Sequence, residues 1–127
     1  MGKIVIKSNR LAPPIGPYSH AVKASNFIFL SGQIGLDKNG KVVQGGISEQ
    51  TKQALENMKA ILEDAGYSLD DVVKVTVFLK DIRHFSEMNE VYKKYFPFNQ
   101  PARSTVEANM ASPDLLVEIE AIAYKDS

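Results

Sequence analysis

Two glutamates and one arginine carry the clearest chemical signal in this chain. Glu118 and Glu120 fall two residues apart within the apolar stretch from Leu115 to Tyr124. Side chains alternate along a strand. Leu115, Val117, Ile119, Ala121 and Ala123 therefore form one apolar face, and Leu116, Glu118, Glu120, Ile122 and Tyr124 form the other. In the stretch from Ala102 to Ala108, Arg103, Thr105 and Glu107 share one face in the same way. If the two strands lie in one sheet, Arg103 is expected on the side of Glu118. Such a group is either a cross-strand ion pair or part of an active site, and the pattern alone leaves both open. Glu120 would raise the pKa of Glu118 and Arg103 would lower it, so no direction follows. Carboxylates about 6.5–7 Å apart along a strand also suit an inverting glycosidase. A small chain without Trp offers little surface for a sugar, however.

The other reactive residues form no recognised constellation. His20 and His84 lack further ligands at metal spacing, so no metal site is expected. His84 falls near a helix start and is expected to be solvated. Ser31-Gly32-Gln33-Ile34-Gly35 matches neither glycine-rich phosphate motif, and no Gly-x-Ser-x-Gly occurs. Cysteine is absent, which removes disulfides, thiolate nucleophiles and thiolate metal sites, and suits a reducing compartment.

Several short elements must position these residues. Strands are expected at Ile4–Ile6, Ala21–Lys23 and Phe27–Ser31, the last two joined by a turn at Ser25-Asn26. Between the first two, Ala12-Pro13-Pro14-Ile15-Gly16-Pro17-Tyr18 is a proline-stiffened loop ending on a phenol. Asn39-Gly40 signals a tight turn, with a short extension over Lys41–Val43. From Ser48 to Gly66, Thr51, Ala54, Leu55, Met58, Ile61, Leu62 and Ala65 recur at helical spacing. Lys52/Glu56 and Lys59/Glu63 form i,i+4 pairs on the opposite face. Gly66 stands where a C-terminal cap belongs. A strand over Val72–Leu79 and a helix over Phe85–Phe96, stopped by Pro97, precede the two functional strands. Phe85, Met88, Val91, Tyr92 and Tyr95 fall on one side of that helix.

This order predicts an α+β sheet with both helices on one face. The other face would carry Leu116, Ile122 and Phe78 among charges. A half-apolar surface of that kind calls for cover by another copy of the chain, which would put the site at a subunit boundary.

Composition sets the outer limits. The 127 residues correspond to one domain, 1–127. Fifteen Lys+Arg balance fifteen Asp+Glu, which disfavours nucleic acid as a partner. The apolar run after Met1 is too short for a signal peptide, and no segment approaches the length of a membrane span. A cytoplasmic location is the resulting expectation.

Five motifs then align with a known family. Ile15-Gly16-Pro17-Tyr18-Ser19, Ser31-Gly32-Gln33-Ile34, Val75-Thr76-Val77-Phe78-Leu79-Lys80-Asp81, Pro101-Ala102-Arg103-Ser104-Thr105-Val106-Glu107 and Glu118-Ile119-Glu120-Ala121-Ile122-Ala123 together resemble the RidA (YjgF) family. The resemblance runs from the first strand to the last. It implies a chorismate-mutase-like subunit with one mainly antiparallel mixed sheet and two helices on one face, assembled as a homotrimeric barrel with clefts between subunits.

The activity it implies is hydrolytic deamination of 2-imino and enamine acids (2-aminoacrylate and 2-iminopropanoate, or 2-iminobutanoate) to 2-oxo acids and ammonia. No cofactor or metal is implied. The metabolic link is to pyridoxal-phosphate-dependent dehydratases, which release these intermediates. Carried over by motif, Arg103 is the carboxylate-binding group and Glu118 positions the attacking water. Tyr18, Ser31, Gly32 and Asn89 line the cleft, with Thr105 where many members carry Cys. His20 replaces a common Gln, Gly35 a common Pro, and the stretch 110–114 differs from the usual loop.

Two other readings use the same residues. One is a non-catalytic sensor that binds small 2-oxo acids through Arg103. The other is an RNA-directed role as a ribonuclease or translation inhibitor.

Overall fold

Helical periodicity and strand alternation account for nearly every element of the chain. The computed structural model describes residues 2–127; Met1, the first residue of the expected 1–127 domain, lies outside them. The order is β1 (Ile4–Ile6), β2 (Ala21–Ala24), β3 (Phe27–Ile34), α1 (Gly46–Asp64), β4 (Val72–Leu79), α2 (Phe85–Tyr95), β5 (Ala102–Glu107) and β6 (Val117–Tyr124). The strands form one six-stranded sheet in the order β1-β2-β3-β6-β4-β5. All neighbours are antiparallel except β4 and β5, which are parallel and need the α2 crossover between them. Both helices pack on one face, so the expected α+β architecture holds.

α1 buries the stripe that its sequence spells out. Ala54, Leu55, Met58, Ile61 and Leu62 are fully enclosed against β3 and β6. Each of the larger side chains contributes about 1.5–3 kcal/mol by leaving water. The helix ends in a Schellman motif. Tyr67 N–H donates to Leu62 O, Gly66 N–H donates to Glu63 O, and Gly66 takes the left-handed backbone that glycine tolerates (φ 80°).

The expected i,i+4 ion pairs on α1 do not form. Glu56 instead accepts from Tyr95 Oη at 2.7 Å, and Glu63 pairs with Arg10 at 3.1 Å. Partners on other segments satisfy those carboxylates without confining a lysine on an exposed helix face.

Boundaries differ where side chains other than the apolar ones decide. β3 extends to Ile34, whereas Lys41–Val43 contributes only one bridge, Leu36 to Val42. β6 begins at Val117 rather than Leu115, because Gln50 on α1 holds the lead-in. Gln50 Nε2 donates to Asp114 O at 2.9 Å, and Gln50 Oε1 accepts from Leu116 N–H at 2.8 Å. Leu116 accordingly packs partly against the core instead of joining the helix-free face. Before α2, Asp81 accepts from the side chain and backbone N–H of Arg83, which hold its carboxyl down to about 2.

The helix-free face carries an exposed apolar band. Phe29 is 45% exposed, and Phe27, Val106 and Tyr124 are also exposed there. Phe27 stacks with Tyr124 at 4.9 Å between ring centroids.

The fold rests on a close approach between β3 and α1. A Cβ at Gly35 would lie 2.9 Å from Gln50 Cα and 2.8 Å from Gln50 Cβ. Gly35→Ala is therefore expected to cost about 1–3 kcal/mol in chemical denaturation, because helix backbone must move. A variant as stable as the parent would show that this approach is loose.

Candidate functional site

The sheet register separates the residues that the sequence had grouped. Val75 on β4 pairs with both Arg103 and Ala121, while Phe78 pairs with Glu118 and Val106. Directly paired residues share a face. Arg103 and Thr105 therefore point to the helix side, and Glu118 and Glu120 point to the helix-free side. The expectation of Arg103 beside Glu118 is corrected: within one protomer they occupy opposite faces. They are also two strands apart, about 10 Å, and about 10 Å apart along the strands. The cross-strand ion pair is excluded by the same register.

Arg103 sits in a socket built by α2. Its Nη1 donates to Asn89 Oδ1 at 2.7 Å. The guanidinium lies over Tyr92 at 4.7 Å and near the Phe85 ring at 5.6 Å, both favourable cation–π placements. Phe85, Asn89 and Tyr92 are spaced i, i+4, i+7, so one helix face delivers all three. That spacing is the sequence signal for Phe85 and Tyr92, which fall on one side of the helix. Among the described ion pairs none involves Arg103, so its charge has no acidic partner in the protomer. Burial pushes the Tyr92 phenol up to about 12, against the opposing pull of Arg103. The hydroxyls of Tyr92 and Thr105 are enclosed without hydrogen-bond partners.

The second cluster forms where β3 meets β6. Pairing runs Leu30 to Ala121 and then Gln33 to Ile119, so β3 carries one extra residue. Ser31 and Gly32 occupy this bulge, a device that re-aims side chains. Ser31 Oγ donates to Ser19 O at 2.6 Å, tying the bulge to the segment that carries Tyr18. The Tyr18 ring is about half exposed. Gly32 is required by Glu118, because a Cβ there would lie 2.7 Å from Glu118 Cδ. Burial first, and Glu120 second, push the Glu118 carboxyl above its ordinary range. No cation offsets this in the protomer, since Arg103 is on the other face.

Both histidines are at least partly enclosed. His20 is 4% exposed and bonded through both ring nitrogens. His84 is half-buried with Nδ1 enclosed, which corrects the expectation that it is solvated. Among the described residues, no three His, Asp or Glu side chains converge as a metal ion would need. Among the described residues no helix is long and apolar enough to cross a membrane.

Comparison with known proteins places the chain in a family. The family model described as Endoribonuclease L-PSP matches residues 9–125. A RutC family protein of Pyrococcus horikoshii is 58% identical over 125 residues, covering 98% of this chain and 99% of the relative. The human 2-iminobutanoate/2-iminopropanoate deaminase is 46% identical over 122 residues, covering 95% and 89% respectively. The crystal structure of the Escherichia coli YjgF gene product superposes with a TM-score of 0.89 at 38% identity, covering 97% of this chain and 99% of that one.

The chain belongs to the RidA (YjgF) family. Its RidA fold brings Tyr18, Ser31, Gly32 and Glu118 to the β3/β6 junction, and Asn89, Arg103 and Thr105 to the α2/β5 edge. The seven residues thus form two clusters within one RidA protomer.

The Gly32–Glu118 contact gives a direct test. Gly32→Ala should displace the Glu118 carboxylate in a crystal structure. The stability loss should stay near 1 kcal/mol, because a side chain rather than backbone must yield. An unmoved Glu118 with a shifted β3 would contradict this.

Proposed function

We propose that this RidA-family chain is a hydrolytic deaminase of 2-imino and enamine acids, among them 2-aminoacrylate/2-iminopropanoate and 2-iminobutanoate. The observation that carries this reading is the unpaired Arg103 guanidinium, held by Asn89 and two aromatic rings. A planar cation with free N–H groups suits a carboxylate bound through two parallel charge-assisted hydrogen bonds. The human relative's deaminase name supports the same substrate class. The neutral net charge weighs against the RNA-directed reading that the family description carries.

The reaction requires three things of the protein. Arg103 holds the substrate carboxylate. An enamine first takes a proton at C3 to become the imine, and the protonated imine presents an electrophilic C2. Glu118 accepts a proton from a water molecule as its oxygen bonds to C2, giving a carbinolamine. The amino nitrogen is then protonated, the C2–N bond breaks, and ammonia leaves as the C2–O bond becomes a carbonyl. Imine plus water thus gives 2-oxo acid plus ammonia, with no redox change and no cofactor in the scheme. A carboxyl raised by burial exchanges its proton more readily near neutral pH. Tyr18, Ser31 and Gly32 shape the water side of the cleft, and Thr105 flanks the carboxylate side.

A small acid cannot span Arg103 and Glu118 of one protomer, so the cleft needs two copies. The exposed apolar band on the helix-free face favours a closed assembly, and a homotrimer gives three equivalent clefts. Upstream, the substrate would come from pyridoxal-phosphate-dependent dehydratases, and no membrane is involved.

The test couples such a dehydratase to the purified protein and follows ammonia release. Glu118→Gln should lower turnover about 10²–10⁴-fold while 2-oxobutanoate binding survives. Arg103→Lys keeps the charge but loses the fork, and should weaken that binding roughly 10–150-fold. Binding of 2-oxobutanoate without any acceleration of ammonia release would overturn the enzyme reading in favour of a sensor.

A further inference from the structure

His20 stands at the crossing of three segments, and its ring bonds only backbone groups outside both functional clusters. Its Nδ1 accepts the Ser8 N–H at 3.1 Å, which leaves the ring hydrogen on Nε2, 3.0 Å from Ala12 O. Its backbone carbonyl accepts the N–H of Ser31 at 3.0 Å, the first residue of the bulge. Ser8 is itself anchored to α1, with Oγ donating to Asp64 Oδ2 at 2.6 Å. The imidazole therefore ties the end of the proline-rich loop to its start at Ala12 and to Ser8, while the backbone carbonyl of the same residue joins it to the strand that carries Gly32.

Leu11 packs on the core before the loop and Ser31 Oγ bonds Ser19 O after it, so between those anchors the ring of His20 is the side chain that bonds the loop backbone at Ala12. Beneath it lies a hollow lined by Pro13, Ile15, Tyr18, His20, Gly32 and Asn57. The Tyr18 hydroxyl has only a long contact, accepting from Ile15 N–H at 3.4 Å. Prolines restrict the loop's shape but not its angle to the sheet.

We infer that His20 is a positioning residue for substrate binding, which fixes the Tyr18 loop and the Ser31–Gly32 bulge relative to each other. This rests on the reading of Tyr18 and Ser31 as cleft residues. The requirement is one acceptor and one donor at a fixed separation, so glutamine, whose amide carries both, should replace histidine. Alanine should not.

The experiment measures KM, kcat and the 2-oxobutanoate Kd for the full-length assembled protein. His20→Ala should raise KM and Kd about tenfold, with a smaller change in kcat, since two hydrogen bonds that order the cleft are lost. His20→Gln should stay within about twofold of the parent. In a Tyr18→Ala background, His20→Ala should add less than about twofold, because it acts through a side chain already removed. Should His20→Ala fail to assemble, His20→Asn serves instead. Its shorter amide cannot reach both groups, and the same tenfold loss is expected.

Fully additive losses, His20→Gln as damaging as His20→Ala, or unchanged binding in His20→Ala would each overturn the inference. If Tyr18→Ala and Ser31→Ala leave binding unchanged, the cleft reading fails first, and the inference falls with it. Strong effects at Tyr18 with none at His20 would refute the inference alone.

Discussion

Alternation of side chains along paired strands governs everything else in this molecule. Val75 and Phe78 lie three residues apart on β4, so they face opposite sides, and each fixes the face of the residue paired with it. Arg103 is thereby sent to the helix side and Glu118 to the bare side. Shifting the register by one residue would bring them to one face, but it would also drive Val117, Ile119 and Ala121 out of the core. The core therefore enforces the separation. Among the described residues each protomer is left with an aromatic-lined guanidinium that has no anion and a half-buried carboxylate that has no cation. The two clusters are complementary in charge, as the proposed binding of a small acid and its attacking water requires.

The scaffold around Glu118 includes buried polar side chains, Gln50 and Asn57. Gln50 and Asn57 on the inner side of α1 bond loop backbone rather than core side chains. Asn57 Nδ2 donates to Ile34 O at 3.2 Å and to Leu36 O at 3.0 Å, next to Gly35. Together with Gln50 at the lead-in to β6, these amides fix both strand ends beside the bulge. Buried amides satisfied in this way define one geometry, because any slip leaves a polar group unpaired.

Much of this was legible in the chain. Val72–Leu79 is β4 to the residue, and the stripe from Thr51 to Leu62 is the buried side of α1. The inward face of β6 was equally plain, because alternation within one strand needs no partner. The relation between strands was not: whether Arg103 lies beside Glu118 depends on the parity of the register with β4, and no property of β5 or β6 alone encodes it. Ser31–Gly32 read as a glycine-containing stretch without a motif, since a bulge is visible only against the partner strand. His20 was noted for the ligands it lacks. Its actual partners are backbone groups, which leave no trace in side-chain patterns. The family resemblance named the candidate site residues, and the register showed that Arg103 and Glu118 lie on opposite faces of one protomer.

Subunit mixing tests the central claim most directly. Arg103→Ala and Glu118→Gln proteins would each be purified, unfolded together in equal amounts and refolded, with mixed assembly verified by native mass spectrometry. If Arg103 of one protomer works with Glu118 of another, about one quarter of the clefts in random trimers regain both residues. Imine hydrolysis should then return to about a quarter of the parent rate. Mixed trimers no more active than the separate variants would contradict a shared cleft, and with it this account of the site.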